Sequence, residues 1–305
     1  MLVIKDLSYQ YRFGQTAFTD VSFGVNKGEI FCIYGDKDSG KTSLLLAIAG
    51  AFQPNQGSIL IDGKCVNKLP NDKKSIFLYR EYGGFFENRS LMYNLAYPFL
   101  IRKADKTDTE KTIRSLANIY DLSDMLYTPA NKLTPRSRML AQFIRCKMRK
   151  PEICLFDDPI VCSDHKIDDF RLLLSLFDEI KKDSHIVFAT SSMKEVMALN
   201  HKTLFLHFGN VQQMGTLEEM KRLPLTCTVF KSLYPATTSE NAVICSTGGE
   251  IVLKSNNQTY LLNRKNLLNE IYIDKNVYVL TNAESEEKWI YDYRSEALIY
   301  FETIR

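Results

Sequence analysis

The chain has 305 residues, more than one hydrophobic core ordinarily organises, so two domains are expected. With 45% hydrophobic and 25% charged residues, 14 Gly and 9 Pro, its composition excludes collagen-like, low-complexity and wholly disordered chains. Lys and Arg total 39 against 36 Asp and Glu, and a net charge of only +3 gives a nucleic-acid partner no electrostatic support, so none is expected.

In chain order, LVIKDL, TAFTDVSFGV and GEIFCIYG are short apolar runs between turn signals and predict strands over residues 1 to 35. GDKDSGKTS begins at Gly35 and runs into KTSLLLAIAG, whose apolar residues recur with helical spacing until Gly50. GSILIDGK and SIFLYR predict two further strands. Between 82 and 150 the character becomes helical, with NLAYPFLIRK, EKTIRSLANIYDL and SRMLAQFIRCKMRK as amphipathic segments. Strands then return between helices: EICLFDD, the helical DDFRLLLSLFDEIKK, and HIVFATSS. This alternation implies a parallel sheet covered on both faces, completing a domain over 1–224. After Pro224 helical character is lost for most of the length. AVICS, EIVLK, QTYLLN, NVYVLT, KWIYDY and ALIYFET predict a small β-barrel or sandwich over 225–305.

The seven cysteines contain no CxxC pair, and several lie inside apolar runs, which reads as buried reduced thiols of a cytosolic protein. The longest apolar stretch, LLLAIAGAF, falls short of the roughly 20 residues of a membrane helix. The opening MLVIKDLSY lacks the layout of a signal peptide. Any membrane role is therefore expected through a partner.

Gly35-Asp36-Lys37-Asp38-Ser39-Gly40-Lys41-Thr42 matches GxxxxGK[ST] between a predicted strand and a predicted helix, the context that a phosphate-binding loop requires. Backbone N–H groups of the loop and first helical turn, through Ser43, would face phosphates at the positive end of the helix dipole. Lys41 would reach the β- and γ-phosphates and the Thr42 hydroxyl would ligate Mg²⁺. Asp36 and Asp38 would repel a phosphate if turned inward, so both are expected to face solvent. The apolar run ending in Asp157-Asp158 places carboxylates at the end of a buried strand: Asp157 to hold Mg²⁺, Asp158 to orient an attacking water.

With these motifs in this order, the chain resembles the nucleotide-binding subunits of ABC transporters, most of all the maltose-type importer ATPases. The resemblance implies an α/β P-loop NTPase fold of ABC type with a helical subdomain, followed by a small all-β, OB/TOBE-like regulatory domain; GNVQQMGTLEEMKRLP is similar to the family's passage into it. It implies ATP and Mg²⁺ as ligands, a cytoplasmic position against the membrane, integral-membrane transporter subunits as partners docked on the 88–150 helices near Tyr82 to Phe86, and indirectly a solute-binding protein. Tyr11 would stack on adenine. Glu81 stands where the family has a glutamine that touches Mg²⁺ and the attacking water. Thr134-Pro135-Arg136-Ser137 occupies the place of the LSGGQ signature, Asp158 that of the catalytic glutamate, Ser191 that of the switch histidine, and Asp164 matches the inter-subunit loop.

The departures have chemical consequences. Asp is one methylene shorter than Glu, Ser191 cannot carry a proton near neutral pH, and Pro135 has no N–H to offer a phosphate. Thr134 and Pro135 also make an ordinary helix start. Slow hydrolysis and pairing with a different, more competent ATPase subunit are expected. A non-hydrolysing nucleotide-gated regulatory subunit and a soluble ABC protein outside transport are the alternatives.

Overall fold

The structure, a computed structural model, describes residues 1–12, 14–67, 69–70, 74–80, 84–160, 166–247, 250–255, 259–262, 275–282, 288–292, 295 and 297–302. Contacts divide the chain into two compact units, Met1–His201 with Phe208–Asn210, and Lys202–His207 with Val211–Arg305.

The first unit contains β1 (Leu2–Gln10), β2 (Thr16–Val25), β3 (Ile30–Tyr34), α1 (Lys41–Ala49), β4 (Gln56–Ile61), β5 (Lys64–Cys65), β6 (Ile76–Arg80), α2 (Leu91–Leu100), α3 (Lys106–Ile119), α4 (Pro135–Arg149), β7 (Ile153–Asp157), α5 (Lys166–Ile180), β8 (His185–Thr190) and α6 (Met193–Leu199). Strands β3, β8, β7 and β6 pair in parallel in that order, in registers such as Ile30↔Ile186, Ile153↔His185 and Ile76↔Ile153. Every residue of β3, β7 and β8 is buried, as their unbroken apolar runs require of strands covered on both faces. β1 lies between β2 and β4 with antiparallel pairing on each side, and β5 follows on β4.

The helices α2, α3 and α4 begin at side-chain caps: Ser90 accepts from Tyr93 N–H, Asp105 from Asp108 N–H and Thr134 from Ser137 N–H. Their packing buries Leu91, Leu95, Ile113, Ala117, Leu140 and Ile144. Asn94 is fully buried inside the apolar stripe of α2. Its amide accepts from Phe86 N–H at 2.7 Å and donates to the Phe86, Arg89 and Ser90 carbonyls at 3.0–3.1 Å, closing the loop before α2. From α4, Gln142 donates to the Arg80 carbonyl at 2.9 Å and Arg145 to the Gly84 carbonyl at 2.6 Å, while the Arg138 and Arg145 guanidiniums lie 5.6 and 4.9 Å from the Phe85 ring centre. Burial lowers the pKa of Arg145 to about 10.

The second unit holds β9 (Thr203–His207), most of β10 (Asn210–Gly215), α7 (Leu217–Arg222), α8 (Cys227–Leu233) and an all-β sheet of β11 (Thr237–Thr247), β12 (Glu250–Ser255), β13 (Thr259–Leu262), β14 (Lys275–Asn282), β15 (Lys288–Asp292) and β16 (Leu298–Glu302). The sheet is antiparallel, in the order β13-β12-β11-β14-β15-β16. Alternate residues face opposite sides: Ile244, Leu253, Val277, Val279 and Ile290 form one buried cluster, and Leu280, Trp289, Tyr291 and Leu298 pack with Cys227 and Phe230 of α8 in another. The strand pattern beyond Pro224 matches expectation. The short helix α8 does not, because Thr226 caps it and Val229, Phe230 and Leu233 bury one face, a pattern too short to register as periodicity.

Candidate functional site

The loop between β3 and α1 follows the backbone demands of its sequence. Asp38 and Gly40 take left-handed φ values of 65° and 101°, which Asp tolerates and Gly adopts freely, and Gly40 serves as the N-cap of α1 with no side-chain cap. The first-turn N–H groups of α1 therefore open toward the loop. Asp36 and Asp38 are exposed, as the sequence predicts; Lys37 between them is exposed too, and Gly35 and Ser39 are buried.

Lys41 is only 5% exposed. Its ammonium donates to the Gly35 carbonyl at 2.7 Å, the Asp36 carbonyl at 2.9 Å and Ser39 Oγ at 3.4 Å, so the loop is wrapped around one cation. Burial holds its pKa below the usual lysine value, against the opposing pull of Asp158, Asp157, Asp36 and Asp38. Thr42 Oγ1 donates to Asp157 Oδ1 at 3.1 Å, joining the start of α1 to the end of β7 across 115 positions of sequence. Asp158, with φ of 42°, accepts at Oδ1 from Ser191 N–H at 2.9 Å and Ser191 Oγ at 3.4 Å. The β7–β8 register sets that contact, since Asp157 lies opposite Ala189 and Asp158 N–H donates to the Ala189 carbonyl at 2.9 Å.

Burial also raises the pKa of Asp157, with the Thr42 hydrogen bond opposing and Asp158 adding to the rise. An acid whose folded pKa lies above its unfolded value costs native stability once pH exceeds the unfolded value. Asp157→Asn is therefore expected to raise the thermal midpoint of the ligand-free chain by a few degrees at pH 7. The gain should shrink as pH falls through the folded pKa. Thermal denaturation of both proteins across that range checks this, and an unchanged or lower midpoint for the variant at pH 7 counts against it.

A cleft of about 280 Å³ opens beside the loop, with Tyr11, Gln15, Thr16 and Ala17 on one wall and residues 38–43 on the other. Tyr11 is 39% exposed, outside the strand core. Its hydroxyl is 2.7 Å from Ser43 Oγ and its ring meets Tyr9 edge-on at 5.1 Å, while Tyr9 stacks on Phe52 at 3.9 Å. The aromatic wall is thereby fixed relative to α1.

At the start of α4, Pro135 is the first helical residue and brings no N–H, while Ser137 N–H is taken by Thr134 Oγ1 at 3.2 Å. The Arg136 guanidinium pairs at 2.9 Å with Asp169 of α5, whose carboxylate is buried. The structure thus brings together residues 35–43, Asp157, Asp158, Ser191 and Tyr11. Thr134–Ser137 cap a separate helix, and Glu81 and Asp164 lie outside the described residues. Sequence reasoning missed Asn94 and Arg145, whose polar atoms sit within helical apolar patterns and give no local signal.

Residues 18–161 match the family model described as ABC transporter. The chain is 29% identical over 210 residues to the spermidine/putrescine import ATP-binding protein PotA of Protochlamydia amoebophila, covering 68% of this chain and 56% of that protein. It is 27% identical over 235 residues to the molybdate/tungstate import ATP-binding protein WtpC of Thermococcus kodakarensis, covering 76% and 70%. With the sulfate/thiosulfate import ATP-binding protein CysA of Synechocystis the figures are 29% over 227 residues, 73% and 62%. The chain thus spans a little over half the length of PotA. A dimeric ATP-binding cassette in a post-hydrolysis state with ADP and Pi superposes with a TM-score of 0.61 at 19% identity, covering 71% of this chain and 99% of that one. A structure described as the ATP binding subunit of an ABC transporter does so at 0.63 and 22%, covering 73% and 92%. At these identities the two structures establish the fold. Among the described residues no helix is long and apolar enough to cross a membrane.

Proposed function

We propose that this chain, which carries the ATPase domain of ABC transporters over residues 18–161, is the nucleotide-binding subunit of a solute importer, seated on the cytoplasmic face of a membrane, that binds Mg-ATP and turns it over slowly. The observation that carries the reading is the loop of residues 35–40 closed around the Lys41 ammonium beside the Thr42–Asp157 contact. In this reading Lys41 exchanges its loop carbonyl partners for β- and γ-phosphate oxygens, a charge-assisted contact, and the α1 N–H groups hold the same phosphates. Thr42 Oγ1 and Asp157 Oδ1 are adjacent hard oxygen donors, the set Mg²⁺ takes, with Glu81 as a further ligand. A Mg²⁺ held by these oxygens would supply positive charge to the phosphates as negative charge develops on them. Tyr11 offers its ring to the base.

The same geometry supports slow turnover in this reading. The Asp158 carboxylate is short and already accepts from Ser191, whose hydroxyl does not titrate near neutral pH, and the start of α4 has lost N–H donors to Pro135 and to the Thr134 cap. Two copies of such a chain would form two doubly impaired sites, so the reading includes a different, more competent ATPase subunit as partner. The helical region supplies the membrane-subunit contact. Phe86, Tyr93 and Tyr97 form an aromatic cluster with ring centres 4.8–5.8 Å apart, Phe86 is 46% exposed and Ile101 61% exposed.

The relatives are named for polyamine cations and for oxyanions, so a cassette of this kind serves solutes of opposite charge, and a sugar or other solute would be selected by other subunits. The second reading, a non-hydrolysing regulatory subunit, is favoured by the Asp158–Ser191 contact. Affinity capture of the tagged full-length chain from detergent-solubilised membranes is expected to bring down an integral-membrane polypeptide and a second ATPase chain. Recovery of the chain alone from membranes and cytosol under mild detergent would contradict the importer assignment.

A further inference from the structure

The hairpin turn Phe208–Gly209 joins β9 to β10, and its Gly209 opens the segment GNVQQMGTLEEMKRLP, to which the sequence assigns no part in nucleotide binding. Its tip, Phe208–Asn210, belongs to the first unit. Both turn residues have left-handed backbones, φ of 43° at Phe208 and 78° at Gly209, the pair a two-residue type I′ hairpin requires. Gly209 N–H donates to the Ser39 carbonyl at 2.9 Å, in the middle of the phosphate-binding loop, and the Gly209 carbonyl accepts from Thr19 N–H at 2.9 Å. A Cβ built on Gly209 would lie 2.7 Å from the Ala17 carbonyl oxygen and 3.0 Å from Phe18 Cα. Those partners are backbone of β2, which cannot swing aside as a side chain can. Ser39 and Ala17 both line the cleft, so one glycine ties the loop to the opposite wall.

We infer that Gly209 is a positioning residue for nucleotide binding: its N–H holds the Ser39 carbonyl outward so that the loop amides face the phosphates, and its missing side chain lets the turn approach β2 closely enough to do so. The inference rests on the nucleotide-binding reading above. Any side chain at this position has two ways to break the contact, through left-handed strain and through the clash with Ala17. Phe208 differs, since it is 72% exposed and an Asn there keeps the left-handed backbone more easily.

The test compares wild type, Gly209→Ala and Phe208→Asn by equilibrium titration with fluorescent ATP in Mg²⁺, together with residue-resolved hydrogen exchange. Gly209→Ala is expected to weaken binding at least about tenfold, the effect of losing roughly one well-placed hydrogen-bonded contact. It should also speed exchange over residues 36–43 while leaving the 237–247 strand protected. Phe208→Asn is expected to bind within about twofold of wild type, since the Gly209 contact survives. In the wild type, nucleotide should slow exchange at the Gly209 amide, a readout that does not depend on the variant folding. Wild-type affinity in Gly209→Ala, or a Gly209 amide indifferent to nucleotide in a wild type that binds it, would overturn the inference and leave nucleotide binding standing. A wild type that binds no nucleotide would overturn both.

Discussion

Replacing Lys41 with Met is expected to weaken ATP binding by at least about 100-fold, the loss of roughly 2.7 kcal/mol expected when charge-assisted contacts to phosphate are removed from a buried site. Met keeps most of the aliphatic volume, so the loop retains its packing while losing the cation that organises it. Lys41 has three oxygen partners within the loop, and burial lowers its pKa against the opposing pull of four carboxylates. A triphosphate would bring charged oxygens to the Lys41 ammonium in place of the neutral loop carbonyls, with the α1 N–H groups and Mg²⁺ offsetting the repulsion from the carboxylates. The readout is ligand-induced thermal stabilisation. Wild type should gain the roughly 2.7 kcal/mol that accompanies ligand at 100 times its dissociation constant, and Lys41→Met at the same ATP concentration should gain well under half of it. Equal stabilisation of the two proteins would show that Lys41 does not meet the phosphates.

Turnover by the purified chain is the second large effect. Enzymes commonly run at roughly 1–10³ per second, and a reacting group displaced by about 1 Å loses on the order of a hundredfold. The Asp158 carboxylate is both short and engaged with Ser191, so this chain alone should hydrolyse ATP at roughly 0.1 per second or less. Asp158→Glu with Ser191→His should raise that rate at least about tenfold by returning a reaching carboxylate and a titratable ring, within the roughly 10²–10⁴ that acid–base groups supply. The left-handed backbone at Asp158 limits the gain, because Glu takes that conformation less readily than Asp. A wild-type chain turning over at tens per second would contradict the account of Asp158 and Ser191. No turnover in the double variant, with binding intact, would favour the non-hydrolysing reading.

How much of this site the sequence discloses depends on how local each contact is. The loop of residues 35–42 is legible because its function lies in consecutive residues: glycine at the helix start, lysine and threonine in the first turn, an apolar strand before it. Asp157 is legible for a related reason, since a fully buried parallel strand reads as an unbroken apolar run whose end is marked by its acids. Thr134 and Pro135 announce the α4 cap outright. Contacts that unite distant positions leave no comparable mark. Asn94 sits in an apolar helical stripe and reveals its role only through the Phe86–Ser90 loop that it closes. Arg145 resembles any basic residue of an amphipathic helix until Gly84 and Phe85 are placed against it. Gly209 reads as an ordinary hairpin glycine, and only the Ala17 and Ser39 backbones give it a reason to be there. The helix α8 is hidden because seven residues hold too few turns to establish a period.

Titration calorimetry of the intact chain with ATP, at millimolar Mg²⁺ and again in excess chelator, tests the central claim most directly. One saturable site with a dissociation constant between about 1 μM and 1 mM, weakened when the metal is withdrawn and lost in Lys41→Met, is the predicted result. Absence of saturable heat at several millimolar ATP, in a chain that melts cooperatively, would contradict a phosphate-binding role for the loop.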